Sequence, residues 1–414
     1  MQKRTVLHVD LNNFFASVET LYNPALKNGY TAVCGSIEDR HGIVLAKNQK
    51  AKLAGVKTGM TIREAEIICP GTVFVEAHHE RYSIYSKKAK KIYADYTDKI
   101  ESFGIDECWL DVTESKIFGS GKEIADKIRE RTKKELGLTV SVGVSFNKIF
   151  AKLGSDMKKP DGTTEITEEN YREKVWPLPV GDLLFVGHAT LAKLKKLNIN
   201  TIGELAETDL NYLTEIFGKW GETLWVYANG KDESRVLNAN ESEDVKSVGN
   251  SLTCYRDLKN EEDVKILFAA LADSVSSRVI NSNAGKAATV TISVRDENLF
   301  WITRQGKLSK PSVLADDYFD KAMELFRKNY KWTTGIRSLG ISVSGFISGA
   351  EQIEMDDNTE LYEKKVKLAK TVNGIRDKYG ISSVLRGILY KDKKFIHGNT
   401  EDVSNMPPNE KTIK

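Results

Sequence analysis

Carboxylates define the chemistry this chain can do. Asp10 closes the apolar stretch Val6-Leu7-His8-Val9, and a second acidic pair, Asp106-Glu107, lies far along the chain inside Ser102-Phe103-Gly104-Ile105-Asp106-Glu107-Cys108-Trp109-Leu110-Asp111. Each falls where a strand should end or turn. Adjacent carboxylates repel, so a fold that gathers them supplies a cation. Hard oxygen ligands suit Mg²⁺, which takes one or two carboxylates plus substrate phosphates. Three carboxylates converging from two strands are the donor set of a two-metal phosphoryl-transfer site. Taken singly, Asp10 reads equally well as a helix cap and Asp106-Glu107 as a solvated turn; taken together they favour the site.

The surrounding pattern tells how those residues are held. Thr5–Asp10 reads as a buried strand, with Asn12 and Asn13 as caps for a helix from Phe14 to about Leu21. Short strands are expected at 31–35 and 43–46, and short helices at 51–53 and 63–68. A longer helix covers 82–96. Residues 101–105 and 108–112 form a hairpin with Asp106-Glu107 at its tip. A charged helix spans 122–136, a strand 138–145 and a helix 148–157. Strands interleaved with helices give an α+β sheet domain. The character changes near Trp176-Pro177-Leu178-Pro179. Short helices then run to about Gly230, and Val186-Gly187 before helix 190–197 is similar to a helix-hairpin-helix. Gly218-Lys219-Trp220-Gly221 begins a second candidate copy. After an acidic linker, residues 246–347 read strand, helix (261–281), strand (287–295), strand (299–305), helix (313–330), strand (337–345). This is a βαββαβ order. A charged helix (361–379) and a polar tail complete the chain.

Bulk properties bound the classes. At 414 residues the chain exceeds one ordinary core, so two to four domains are expected. Net charge is only +3, yet 61 Lys and Arg can build a local nucleic-acid surface. Cys34, Cys69, Cys108 and Cys254 show no C-x-x-C spacing, which argues against a zinc site or a disulfide framework and for a reduced, cytoplasmic setting. The first strand begins at once, without a signal peptide, and no apolar run approaches membrane-spanning length.

Three blocks carry a resemblance. Val9-Asp10-Leu11-Asn12-Asn13-Phe14-Phe15-Ala16-Ser17-Val18-Glu19 resembles the opening motif of the Y-family, translesion DNA polymerases. Gly104-Ile105-Asp106-Glu107-Cys108-Trp109-Leu110-Asp111 resembles their second acidic motif. Val142-Gly143-Val144-Ser145-Phe146-Asn147-Lys148, with Ala151-Lys152-Leu153 and Asp156-Met157-Lys158-Lys159-Pro160-Asp161-Gly162, resembles the third block. Order and spacing agree over about residues 4 to 346, and the likeness is closest to the bacterial DNA polymerase IV, or DinB, type. The resemblance implies an α+β multidomain fold, a right-handed polymerase. The palm would be 1–21 and 76–165, small fingers 22–75, and a helix-hairpin-helix thumb 166–232. A linker at 233–245 would lead to a little finger at 246–347, and 348–414 would be a C-terminal helix and flexible tail.

The same resemblance implies roles. Asp10, Asp106 and Glu107 would be catalytic and hold two Mg²⁺, with the Leu11 carbonyl as a further oxygen ligand. Phe15 would be the steric gate whose ring excludes a ribose 2′-hydroxyl. Phe14 and Phe15 are adjacent on a helix and face different ways, so the Phe14 ring reads as core while its backbone amide serves the triphosphate. Lys159 matches the family's triphosphate lysine. The fingers depart from the family's usual Y-x-x-[AS]-R or Y-x-A-R: Gln49-Lys50-Ala51-Lys52 keeps a donor at Gln49 and a charge at Lys52, without an arginine's bidentate fork. In the thumb, Phe185-Val186-Gly187 lacks the family's first glycine, and Gly187 is the expected DNA-phosphate contact. In the little finger, Arg278, Lys286, Arg295, Arg304, Lys307, Lys310 and Arg337 would track duplex backbones. Gln352-Ile353-Glu354-Met355-Asp356 is the candidate sliding-clamp peptide, without its final apolar pair. Asp111 reads as structural.

The resulting expectation is a monomeric, template-directed DNA polymerase. It adds deoxynucleoside triphosphates to primer-template DNA in error-prone translesion synthesis, without a proofreading domain and without a membrane. Two alternatives stand beside it: a catalytically decayed DNA-binding scaffold, and a nucleotidyl cyclase sharing a palm-like domain.

Overall fold

The structure is a computed structural model and describes residues 3–36, 42–239, 241, 244–347 and 358–392. These fall into two compact units, one built largely from residues up to 34 and from 43 to 241, the other largely from residues 244 onward.

The first unit begins with β1 (Val6–Leu11), α1 (Phe14–Tyr22), β2 (Thr31–Cys34), β3 (Val44–Lys47), α2 (Gln49–Leu53), α3 (Ile62–Ile68), β4 (Val73–Glu76) and α4 (His79–Ala94). It continues through β5 (Ile100–Ser102), β6 (Glu107–Asp111), α5 (Gly121–Arg131), β7 (Val140–Ser145), α6 (Lys148–Met157) and β8 (Thr163–Ile166). Five short helices follow: α7 (Tyr171–Val175), α8 (His188–Lys196), α9 (Ile202–Glu207), α10 (Leu210–Phe217) and α11 (Lys219–Ala228). β1 is buried along its whole length because it is the middle strand of a sheet ordered β5-β6-β1-β7-β8. Its alternation still sorts the side chains. Leu7, Val9 and Leu11 join the core shared with α4 and α5, while Val6, on the other face, packs with Trp109 and with Ala151 of α6. α6 lies close against β7 because position 143 is glycine: a Cβ there would stand 1.9 Å from the Ala151 carbonyl oxygen.

A second sheet, β3-β2-β4, closes over Ala32, Val44, Ala51 and Val56, and α1 packs on β2 and β3. The five short helices share a core of their own, with Leu194, Ile202, Leu205, Leu213 and Leu224 fully buried.

The second unit runs β9 (Ser247–Leu258), α12 (Glu261–Ser282), β10 (Lys286–Asp296), β11 (Trp301–Ser312), α13 (Ala315–Asn329), β12 (Ile336–Ile347) and α14 (Asn358–Tyr379). The expected βαββαβ order is borne out, as a four-stranded sheet β11-β10-β12-β9. Val290, Ile292, Val294, Leu339, Ile341 and Val343 turn toward α12 and α13 in one core. The register puts Thr291, Ser293 and Arg295 on the opposite face, beside Gln305, Thr303 and Trp301 of β11 and Ser342, Gly340 and Ser338 of β12.

Three local expectations change. β4 and β8 were not foreseen; each is a four-residue strand held by a parallel partner, β2 and β7 respectively. The helix expected over 122–136 ends as α-helix at Arg131 and goes on as a π-turn, Thr132–Leu136, stopped by Gly137 at φ 69°. Asn12 and Asn13 do not cap α1 through their side chains: Asn13 sits in left-handed conformation without a cap bond. Asn12 instead donates to Ser141 Oγ (3.0 Å) and accepts from the Asp161 amide (2.8 Å), pinning β1 to β7 and to the loop after α6. The 352–356 segment and the tail beyond 392 lie outside the described residues. No described helix is long and apolar enough to cross a membrane, and all four cysteines are buried and outside any disulfide.

Candidate active site

Strand register builds the carboxylate cluster. β1 and β6 are antiparallel with Asp10 directly opposite Glu107, His8 opposite Trp109 and Val6 opposite Asp111, so these side chains share the α6 face. Asp106 sits in the turn before β6, tied by its carbonyl to the Leu11 amide at 3.1 Å. Asp10 and Glu107 are thus brought together with Asp106 beside them. Asp111 lies at the far end of β6, where it accepts from the Thr113 amide (3.0 Å).

Cations from α6 and the loop after it meet this cluster. Lys152 Nζ stands 3.0 Å from Glu107 Oε2, 3.6 Å from Asp10 Oδ2 and 3.3 Å from Asp156 Oδ2. Lys159 Nζ stands 2.5 Å from Asp10 Oδ2 and 2.7 Å from Asp156 Oδ1. His8, fully buried, places Nε2 3.2 Å from Glu107 Oε2 and Nδ1 2.8 Å from Ser155 Oγ. The sequence pointed to Lys159 but gave Lys152, Asp156 and His8 no role. Signals for them existed: His8 is two residues before Asp10 on one strand, and Lys152 and Asp156 are one helical turn apart.

Electrostatics follows from burial and crowding. Burial and the neighbouring charges of Asp10 and Glu107 push the Asp106 carboxyl up to about 7. Burial, then Glu107, also raises Asp10, against the pull of Lys159 and Lys152. Burial works to raise Glu107, but contacts with His8 and Lys152 outweigh it and bring that carboxyl down to about 2. Burial lowers His8, keeping its ring neutral. Burial works to lower Lys159, and the carboxylates of Asp10 and Asp156 override it, so the ammonium stays charged.

A hard divalent cation fits this donor set. Glu107 Oε2 is buried without an aligned hydrogen bond, and burial together with the charges of Asp10 and Glu107 pushes the Asp106 carboxyl up to about 7. Among the described residues no three His, Cys, Asp or Glu side chains already stand in ligating positions. The lysine ammonium groups balance part of the charge.

Around the cluster, the Phe14 ring is buried and the Phe15 ring half-buried. Phe15 stacks on Tyr82 of α4 at 4.0 Å between centroids and 10° between planes, a partner the sequence did not reveal. Gln49 and Lys52 lie on α2, Gln49 half-buried and Lys52 exposed. Burial, and then the charge of Lys52, lowers Lys47 on the adjoining strand, so two cations crowd there.

Comparison with known proteins meets this geometry. Residues 9–156 match the model of the impB/mucB/samB family, residues 245–355 match that family's C-terminal domain, and residues 181–232 match a thumb domain described for DNA polymerase iota. The chain is 50% identical to DNA polymerase IV of Acetivibrio thermocellus over 394 residues, 94% of this chain and 98% of that one. It is 36% identical to DNA polymerase IV of Pelotomaculum thermopropionicum over 386 residues, 92% of this chain and 94% of that one. The chain belongs to the Y family of DNA polymerases. Among solved structures, a Y-family chimera of Dbh and Dpo4 superposes with TM-score 0.72 at 27% identity, covering 83% of this chain and all (100%) of that one. DinB from Sulfolobus solfataricus superposes with TM-score 0.56 at 28% identity and the same coverage, 83% and 100%. The chain is thus a translesion, DNA-directed DNA polymerase with the right-handed architecture its motifs suggested.

Elsewhere in this polymerase the expected contact residues are dispersed. Gly187 is the N-cap of α8, with open space where a Cβ would stand. Phe185, in place of the family's first glycine, adopts φ 68°, a left-handed conformation that usually costs a non-glycine residue ~1–2 kcal/mol. In the second unit, Arg295 and Lys307 fall on the open sheet face, since they pair with Trp301 and Thr289. Arg304 pairs with Ile292 on the helix-side row. Lys286 lies 5.1 Å from the Tyr362 ring, and Arg337 sits in a bulge of β12. Arg278 donates to the Gly249 carbonyl (2.8 Å), while its Nε and Nη2 are buried without a hydrogen-bond partner. These side chains do not share one face.

Proposed function

We propose that Asp10, Asp106 and Glu107, with the Leu11 carbonyl, hold two Mg²⁺ ions and are the catalytic residues of nucleotidyl transfer. The observation that carries this reading is the register: Asp10 directly opposite Glu107 on neighbouring strands, with Asp106 one residue before. When bound, such ions would lower the pKa of the primer 3′-hydroxyl and offset charge on the triphosphate and leaving pyrophosphate. Lys159 exchanges its contact with Asp10 for the β- and γ-phosphates of the incoming nucleotide. Lys152 stays between Glu107 and Asp156 and keeps the cluster from carrying its full negative charge. The uncapped start of α1, with the Phe14 amide, offers donors to the same phosphates, aided by the helix dipole. Phe15 lies beneath the sugar as the steric gate, and Gln49 and Lys52 reach the triphosphate from the fingers.

The domain assignment follows. The palm is 1–21 and 76–165, the fingers 22–75, the thumb 166–232, a linker 233–245, the little finger 246–347, and 348–414 a helix with its tail. The five-stranded sheet, the three-stranded sheet, the short-helix core and the βαββαβ sheet support these divisions. Primer-template DNA is held at Gly187 and along the second unit through Arg278, Lys286, Arg295, Arg304 and Arg337. Of these, Arg295 is best placed on the open face. Gln352–Asp356 engages a sliding clamp, and the polymerase works as a cytoplasmic monomer.

Primer extension with Glu107→Gln tests the centre of the proposal. Extension should fall by several orders of magnitude while primer-template affinity stays within a few-fold, because metal ligands act on the transition state and phosphate contacts hold the DNA. Extension near the wild-type rate would remove Glu107 from the site.

A further inference from the structure

Glu19 is a buried carboxylate that the polymerase chemistry does not use. It lies one turn after Phe15 on α1, so both project from the same face of that helix. Only 3% of its side chain reaches solvent. The side-chain partners shown for it come from the start of α4 and the residue just before it: the Tyr82 hydroxyl donates to Oε1 at 2.7 Å, His78 Nδ1 lies 3.0 Å from Oε1, and Arg81 Nη1 donates to Oε2 at 2.8 Å. The Tyr82 hydroxyl in turn accepts from the His78 backbone amide at 3.1 Å. The Tyr82 ring is therefore fixed at its far end by two bonds and at its face by Phe15.

That face contact is close and parallel, with centroids 4.0 Å apart and planes 10° apart, whereas Phe14 stands 6.2 Å from the same ring. His79 meets the Phe15 ring edge-on at 5.7 Å. Phe15 is half-buried and so has room to shift or tilt unless something holds its underside. A steric filter depends on the position of its wall to a fraction of an ångström, because repulsion rises steeply with overlap. Three donors converging on one buried anion are a costly way to position a mere helix contact, since an unpaired carboxylate there would be strongly destabilising.

We propose that Glu19 is a positioning residue for sugar selection: by anchoring the Tyr82 hydroxyl it fixes the ring on which Phe15 rests, at the height where a ribose 2′-hydroxyl collides. The inference rests on Phe15 being the gate. Arg81 and His78 hold the carboxylate itself, and Arg81 also stacks over Tyr22 at 4.3 Å, which locks the same two helices together.

The test measures kcat and KM for a deoxynucleotide and its ribonucleotide on one primed template. Tyr82→Phe removes only the hydroxyl and keeps the stack, and Glu19→Gln keeps the shape of the anchor while removing its charge. Each should lower the deoxy-to-ribo ratio of kcat/KM by roughly tenfold, the size expected for losing one anchoring bond. The change should come mainly from a lower ribonucleotide KM. In a Phe15→Val background, neither substitution should lower the ratio further. Circular dichroism and thermal melts confirm that each variant is folded. An unchanged ratio in both variants, with Phe15→Val losing it, would overturn the role of Glu19 and leave the gate standing. Equal losses with both sugars would also overturn it, since that is a structural effect. A wild-type ratio in Phe15→Val would overturn the gate reading and this inference with it.

Discussion

Replacing Asp106 by asparagine should stabilise the metal-free protein at alkaline pH while abolishing nucleotide addition. Asp106 titrates near 7 in the fold against an ordinary value of 3.8. The folded state therefore holds a proton that the unfolded chain has lost between those two pH values. Stability conferred by that proton is complete below 3.8 and drains away as pH rises through 7. Each pH unit inside the window costs about 1.4 kcal/mol, so the ionised carboxylate is charged at most about 4 kcal/mol near pH 8, against about 1.6 kcal/mol near pH 5. Asp106 keeps part of its surface in water, so screening brings the alkaline figure to about 2 kcal/mol. Asparagine has the same shape and carries no charge. In chelator near pH 8 the variant should melt ~4–8 °C above wild type, as about 2 kcal/mol implies for a unit of this size. The gap should shrink by more than half near pH 5. In excess Mg²⁺ it should close at pH 8, because the wild-type carboxylate then gains a partner that asparagine cannot match. Thermal melts across pH, with and without metal, give every arm. Equal melting temperatures in chelator at pH 8, or a gain that does not depend on pH, would refute the claim that burial and the neighbouring carboxylates load this residue.

Lys159→Met should raise the nucleotide KM by roughly tenfold or more, as expected for losing one charge-assisted contact, with a smaller change in primer-template affinity; steady-state kinetics against nucleotide concentration checks it. Restoring the common fingers residues, Gln49→Tyr with Lys52→Arg, should tighten nucleotide binding by about one tenfold step, ~1.4 kcal/mol, with little change in maximal rate, because Lys52 already supplies charge and only the bidentate fork is new. Single-turnover kinetics measures both parameters, and an unchanged apparent dissociation constant would mean other groups already saturate the phosphates. Removing residues 246–414 should weaken DNA binding and flatten its salt dependence, since Lys and Arg contacts to phosphate release counterions; equal salt slopes with and without that segment would show that it makes no net phosphate contacts.

Where local information is strong, the sequence alone was enough. The run Val6–Leu11 has a buried strand's composition, and α6 (Lys148–Met157) spans the residues expected of it, with Asn147 accepting from the Phe150 amide at its start. The βαββαβ order of the second unit was legible because each element is long and its period clear. The acidic motifs were legible as chemistry because carboxylates placed next to each other need an explanation that packing does not provide.

Tertiary structure decided whatever depends on distant partners. β4 and β8 are four residues long and acquire strand geometry only from parallel neighbours, so no local period announces them. Asn12 had the composition of a helix cap, but Ser141 and the Asp161 amide, brought near by β7 and the loop after α6, compete for its side chain and win. Lys152 reaches Glu107 because Gly143 lets α6 lie close on the sheet, a contact that joins positions 45 apart in sequence. The Tyr82–Phe15 stack and the Glu19 anchor join α1 to a helix more than 60 residues away. The sequence by itself therefore determined which groups could do the chemistry and on what kind of element each rides. Only the folded chain determined their mutual distances and charges, because hydrogen bonding and desolvation act through space, and spatial neighbours are chosen by the packing of the whole unit.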